Sequence, residues 1–266
     1  MKPLIFIFAS LAGSLVATLC HADITVTLRG QVTQQAQYSV PDGTRLNAVL
    51  PGRVNSDSWY RGAFFTREQE RLKQTGQKAG LLDDFNHLCP GEPTLSQAKQ
   101  PPRNFNDWCH RVKAHLAALP VTGRKVLESG DPDVLAINLK INPLLEEGDA
   151  LWYPKEPDEL WLIGAGSRWN QPLPYVGGQH LREYMDAIEY SSDWRDADWV
   201  WVISPDGKIS RHGVAAWNEK PWTPAPGSVL WLPVKESYLD SVPGFNASVS
   251  RWLATQALDQ WTNHPE

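Results

Sequence analysis

The sequence predicts an α+β protein of two related β-rich modules, the first interrupted by a helical hairpin and the second followed by an amphipathic helix. Three observations predict it. First, Gly148-Asp149-Ala150-Leu151-Trp152-Tyr153-Pro154 is matched by Gly227-Ser228-Val229-Leu230-Trp231-Leu232-Pro233, so Gly-x-x-Leu-Trp-x-Pro ends two separate segments. Second, the stretch Ile24 to Gly30 with Gly43-x-x-Leu46 downstream is echoed by Glu159 to Gly164 with Gly178-x-x-Leu181. Self-similarity of this kind marks one supersecondary unit used twice. Third, apolar residues alternate with period two inside these segments but recur at helical spacing near the C-terminus.

The elements follow in chain order. Met1-Lys2, the apolar run Leu4 to Leu19 and Cys20-His21-Ala22 have the basic, hydrophobic and small-residue regions of an export leader cleaved at about Ala22. The run is shorter than the ~20 apolar residues that span a bilayer, and Gly13 interrupts it, which disfavours an uncleaved anchor. Leu19 stands where a lipoprotein signal carries a small residue, which disfavours lipid attachment at Cys20. No later stretch reaches membrane length, so the mature chain is expected to lack a transmembrane span.

A first module is expected over residues 23–155. Ile24, Val26 and Leu28 alternate with Thr25 and Thr27 as in a half-buried strand, and a second strand near Tyr38 runs to the turn Pro41-Asp42-Gly43. A helical insertion is expected at about 56–120. Thr66-Arg67-Glu68-Gln69 has the capping-box pattern, and Trp108, Val112, Leu116 and Leu119 share one side of a second helix over Asn106 to Leu119. Arg124 to Leu127, Val134 to Ile137 and Ala150 to Tyr153 are expected strands.

The second module, 156–235, is more compact. Glu159 to Gly164 and Pro172 to Val176 read as strands, and Gly178 to Glu189 as a helix with Leu181, Tyr184, Met185 and Ile188 on one face. Trp199 to Ile203 is apolar on both faces, as a covered inner strand is, and Ser204-Pro205-Asp206-Gly207 turns it into Lys208 to Ser210. Hairpin, helix, then strands is the order of the ubiquitin-like β-grasp fold. Residues 236–266 end in a helix from about Asn246 to Trp261, whose contact face is Val249, Trp252, Leu253, Ala257 and Trp261. Gln256 and Gln260 fall within that stripe, so the helix is expected to lie on its own domain and the protein to be a monomer. An oligomerisation or membrane-surface role is the competing reading.

Composition narrows the chemistry. The formal charge is −5, and losing the leader with Lys2 leaves about −6; no Lys/Arg cluster exists, so neither nucleic acid nor an anionic lipid surface is expected as partner. Cys89 and Cys109 remain in an oxidising compartment and are expected to form one disulfide. A zinc site from His87, Cys89, Cys109 and His110 is disfavoured, because adjacent helical ligands diverge by about 100°. Closing a loop of about 20 residues is worth about 3 kcal/mol in the loop-entropy picture.

The thirteen tryptophans invite a carbohydrate reading. Trp152 and Trp231 hold equivalent repeat positions and Trp199 and Trp201 lie in an apolar strand, which assigns these four to the core. Trp169, Trp217 and Trp222 sit in polar or Pro-rich surroundings and are the ligand candidates. No His pair has metal spacing, and neither a nucleophile elbow nor a phosphate loop is present, so no metal, no cofactor and no enzymatic activity are expected. Glu146-Glu147 and Asp131-Pro132-Asp133 read as loop acids.

At Leu119-Pro120-Val121-Thr122-Gly123-Arg124 and at Asp198 to Gly207, Ala215-Ala216-Trp217-Asn218 and Pro224 to Gly227, the chain resembles the GfcC-like (YjbG-like) proteins of capsule and exopolysaccharide operons in Gram-negative bacteria. The resemblance covers nearly the whole mature chain. It implies a periplasmic protein with β-grasp domains akin to those of Wza-type polysaccharide exporters, and a C-terminal helix like the exporter's amphipathic helix. It also matches Arg124 to the arginine of the family's Thr-Gly-Arg motif, which implies a groove-filling or ligand-contacting role; a structural arginine paired with a loop acid is the other reading. Trp222 departs from relatives, where basic residues are common. The expected function is non-enzymatic: an accessory in polysaccharide export or assembly that binds polysaccharide or the export machinery. The rival is a carbohydrate-active enzyme using Asp131 or Asp133 near Trp169.

Overall fold

The computed structural model describes residues 22–89, 104–166, 170–188 and 193–256. The leader, Trp169, Ala257 and Trp261 lie outside them. Two five-stranded mixed sheets are present, each in its own domain. In the first, β1 (Asp23–Gly30), β2 (Ala36–Pro41), β3 (Phe64–Thr66), β4 (Arg124–Val126) and β5 (Ala150–Tyr153) lie in the order β2-β1-β5-β3-β4. In the second, β6 (Glu159–Gly164), β7 (Asn170–Pro174), β8 (Trp199–Ile203), β9 (Ile209–Gly213) and β10 (Val229–Leu232) lie in the order β7-β6-β10-β8-β9. Position by position the orders are the same. In each, a hairpin strand pairs in parallel with the last strand, β1 with β5 and β6 with β10, and every other pairing among these strands is antiparallel.

The sequence echoes fall on matching places. The repeated Leu-Trp lies on β5 and β10, last in sequence but central in space. Gly30 and Gly164 end the first strand of each module, opposite Tyr153 and Leu232, and a Cβ there would stand 2.1 Å and 2.3 Å from the carbonyl oxygens of those residues. Both have positive φ, 88° and 133°, so glycine is required by space and by backbone conformation alike.

Among the described residues six α-helices accompany the sheets: α1 (Leu46–Val49), α2 (Glu68–Leu88), α3 (Phe105–Ala118), α4 (Pro132–Ile137), α5 (Leu181–Asp186) and α6 (Phe245–Ala254). Several expectations need correction. Val134 to Ile137 belongs to helix α4 rather than a strand, because Asp131 caps it by accepting from the Asp133 amide at 2.9 Å and Pro132 presets the first turn. Strand β3 lies inside the expected helical insertion, and the helix of the second module stops at Asp186, short of Glu189. Thr66 does not cap α2; it stays in β3, paired with Arg124 and Ala150, and Arg67 takes the cap position.

Three hydrophobic cores form among the described residues. One fills the first module beneath Val26, Leu28, Phe65 and Leu151, and one lies under α5 against Leu160, Val200, Val202 and Leu230. The third joins the parts. It packs α2 and α3, through Phe85, Trp108, Val112 and Leu116, onto the Ile163 and Trp231 face of the second sheet, with Phe245, Val249, Trp252 and Leu253 of α6 closing it. The hairpin inserted in the first module thus builds a core of the second. Cys89 and Cys109 form the expected disulfide across its ends, Cα to Cα 6.0 Å. The buried Asn246 pins α6 to the end of β10, exchanging bonds with the Val234 amide (3.0 Å) and carbonyl (2.8 Å) while accepting from Trp231 Nε1.

Candidate functional site

The residues picked out by the sequence fall in three places. Val249, Trp252 and Leu253 are buried in the third core, where Trp252 Nε1 donates to the Leu116 carbonyl at 3.3 Å. Helix α6 ends at Ala254, short of the expected Trp261, and covers its own chain.

Arg124 lies at the seam between the modules and is only 5% exposed. Its guanidinium stacks 5.0 Å over the Phe64 ring, donates to the Gln256 carbonyl at 2.5 Å and to the Pro205 carbonyl, and so joins β4, the β8–β9 turn and the end of α6. These bonds go to main-chain carbonyls of a helix end and a turn. A cation suits the C-terminal end of a helix, where carbonyls lack intrahelical partners. Thr122 adds a bond to the Thr255 carbonyl at 2.6 Å, and Gln74 holds the Gly123 amide at 2.8 Å. The turn presses close: a Cβ on Gly207 would meet the Val126 side chain at 2.2 Å. Beside this contact opens a cleft of about 260 Å³, walled by Tyr60, Arg61 and Leu127 to Gly130 from one module and Asp206 from the other.

The third place is the outer edge of the second sheet. There β9 pairs with β8, placing Arg211 opposite Trp201 and His212 opposite Val200, so Arg211 and His212 project from opposite faces. The connection from β9 to β10 wraps this edge and carries both remaining tryptophan candidates. On one face Trp217, 71% exposed, meets Trp199 edge to face at 6.2 Å and 83°, and the Arg211 guanidinium lies 4.2 Å over the Trp199 ring. On the other, half-buried Trp222 packs on the His212 imidazole with centroids 3.9 Å apart. Burial lowers the His212 pKa, and Ser210 Oγ lies 2.8 Å from its Nε2. Trp217 and Trp222 thus do not form one site.

Residues 21–155 match the family described as Capsule biosynthesis GfcC, N-terminal, and residues 170–257 match Capsule biosynthesis GfcC C-terminal. The chain belongs to the GfcC capsule biosynthesis family. It is also similar to the uncharacterized protein YjbG of Escherichia coli (strain K12), 27% identical over 206 residues that cover 77% of this chain and 79% of that protein. The GfcC N-terminal match ends just past β5 and the C-terminal match opens at β7, so each falls mainly on one of the two sheets.

Within this GfcC-family fold three of the acids read as loop residues have structural partners. Asp131 caps α4, Glu147 accepts from the Thr25 amide at 2.6 Å, and Glu146 meets Arg67. Arg67 and the fully enclosed Asp149 form a two-pronged pair at 3.0 and 2.7 Å that sequence reasoning missed. A signal existed: the repeat has Asp149 where the second copy has Ser228. Arg211 was missed as well, and its strand register opposite Trp201 was the available clue. Of the four tryptophans assigned to the core, Trp231 is fully buried, while Trp152, Trp199 and Trp201 are half-buried, each on the less covered face of its strand. Among the described residues no group of three His, Cys, Asp or Glu side chains has metal-binding geometry, and no helix is long and apolar enough to cross a membrane.

Proposed function

We propose that this GfcC-family protein acts in the periplasm as a non-enzymatic accessory of capsule or exopolysaccharide export, holding polysaccharide on the exposed aromatic edge of its second module. Membership of a capsule biosynthesis family supplies the process. The observation that carries the binding role is Trp217. A large aromatic side chain left 71% exposed and braced edge to face on Trp199 offers an indole face to the apolar C–H face of a pyranose.

The ring is also held in place. Asn218 accepts from the Ala215 amide and donates to the Asp198 carbonyl, both at 3.0 Å, so the segment bearing Trp217 is fastened to the start of β8. A platform fixed before the ligand arrives loses less conformational entropy on binding. The two-module body, locked by Arg124 and the third core, is a rigid support for it.

The test is a deletion strain complemented with wild-type protein or Trp217→Ala at equal periplasmic levels, scored for surface polysaccharide. Wild type restores the polysaccharide and Trp217→Ala leaves it reduced. Full restoration by Trp217→Ala would overturn the binding role, and an unaltered surface in the deletion strain would overturn the function as a whole.

A further inference from the structure

We propose that Arg211 and Trp217 form one subsite for a carboxylate-bearing sugar, a uronic acid residue of an anionic polysaccharide; this rests on the glycan-binding reading of Trp217. Both side chains touch the same ring. Trp199 receives the Arg211 guanidinium over its face at 4.2 Å and the Trp217 ring against it at 6.2 Å. These two separations cap the distance from guanidinium to Trp217 ring at their sum, a span that one or two linked sugars cover. A pyranose stacked on Trp217 therefore has its own or its neighbour's carboxylate within reach of Arg211.

The arginine suits this chemistry. A guanidinium presents five N–H donors in a planar fork that matches a carboxylate at two points, and stacking on an indole fixes its plane. Its side chain is 42% exposed, and its ion pair with Asp196 is long, 3.6 Å from one terminal nitrogen, so donors remain for a ligand. The position is defined by the fold: Arg211 is held by the β8–β9 register and Trp217 by Asn218, whose backbone closes on Gly213 so tightly that a Cβ there would meet its carbonyl oxygen at 2.4 Å. Net negative charge on the protein supplies no long-range attraction for an anionic glycan, which leaves recognition to this local cation.

Isothermal titration of the full mature protein with oligogalacturonate and oligoglucuronate, each as free acid and as methyl ester, separates the two contributions. The expected result is binding of at least one free acid about tenfold tighter than its ester, since a hydrogen bond to a charged group has that worth. Arg211→Gln should abolish this preference while still binding the ester, and Arg211→Lys should keep part of it, because charge remains but the fork is lost. Trp217→Ala should weaken acid and ester alike. Equal affinity of wild type for acid and ester, or an undiminished preference in Arg211→Gln, overturns the uronate assignment. Unchanged affinity of Trp217→Ala for both forms overturns the glycan-binding reading beneath it, and no binding of any oligomer by wild type overturns the uronate assignment. Circular dichroism of each variant matching wild type excludes unfolding as the cause.

Discussion

Arg67 and Asp149 bring opposite charges together inside the first module, with side chains 8% and 0% exposed. Removing the Asp149 charge leaves Arg67 with the more exposed Glu146 as its remaining counter-ion, and losing the enclosed partner of such a pair costs about 3 kcal/mol. Asp149→Asn keeps the shape and removes the charge, so urea unfolding should show stability lowered by that amount with the denaturant slope unchanged. A loss under about 1 kcal/mol would contradict the assigned weight of the pair. His212 gives a prediction in pH. Burial lowers its pKa, so the folded state binds this proton less tightly than the unfolded chain. The stability that follows is present above the unfolded value of about 6.5 and declines as pH falls below it. His212→Gln should flatten that acid limb of the stability curve, and identical curves for variant and wild type would rule it out.

Among the elements, the repeat was the most legible feature of the sequence and the inserted parts the least. Gly30 and Gly164, the Leu-Trp strands and the hairpins follow from local pattern, because positive-φ glycines and period-two burial write themselves into neighbouring residues. Strand β3 did not, since three residues, Phe64 to Thr66, are too short for a period and their partners come from far along the chain. Helix α4 was misread because its apolar residues favour strands while the decisive signals, Asp131 and Pro132, precede them. At the candidate site Trp217 was legible from its polar surroundings, whereas Arg211 beside Trp199 required the register of the β8–β9 hairpin to be carried past Ser210, where the expected strand ended. The glycines test the account of the elements. Ala at Gly30 or Gly164 should lower stability by at least about 2 kcal/mol in thermal or urea unfolding, from contact with backbone and conformational strain together. Ala at Gly43, with positive φ but no neighbour within 4 Å of a Cβ, should cost about 1 kcal/mol. Equal losses at all three positions would contradict the close approach of strands.

At the scale of the molecule, the two sheets are joined by a core to which both modules and α6 contribute. Arg124 and the Val126 to Gly207 contact close the seam from the other side. The modules should therefore unfold together: tryptophan fluorescence and far-UV circular dichroism should trace one coincident urea transition, and two separated transitions would mean independent domains. Cys89→Ala with Cys109→Ala should lower stability by about 3 kcal/mol, since the bridge closes the hairpin at the heart of this core. This rigid body carries the exposed Trp217 at its edge, and its role in capsule biosynthesis is proposed to run through that edge. The most direct measurement is isothermal titration of the mature protein and of Trp217→Ala with polysaccharide purified from the producing cell's own surface. The account predicts saturable binding by wild type that falls at least about tenfold in Trp217→Ala, with stability changed by less than about 0.5 kcal/mol. Equal binding by the two proteins, or none by wild type, would contradict it.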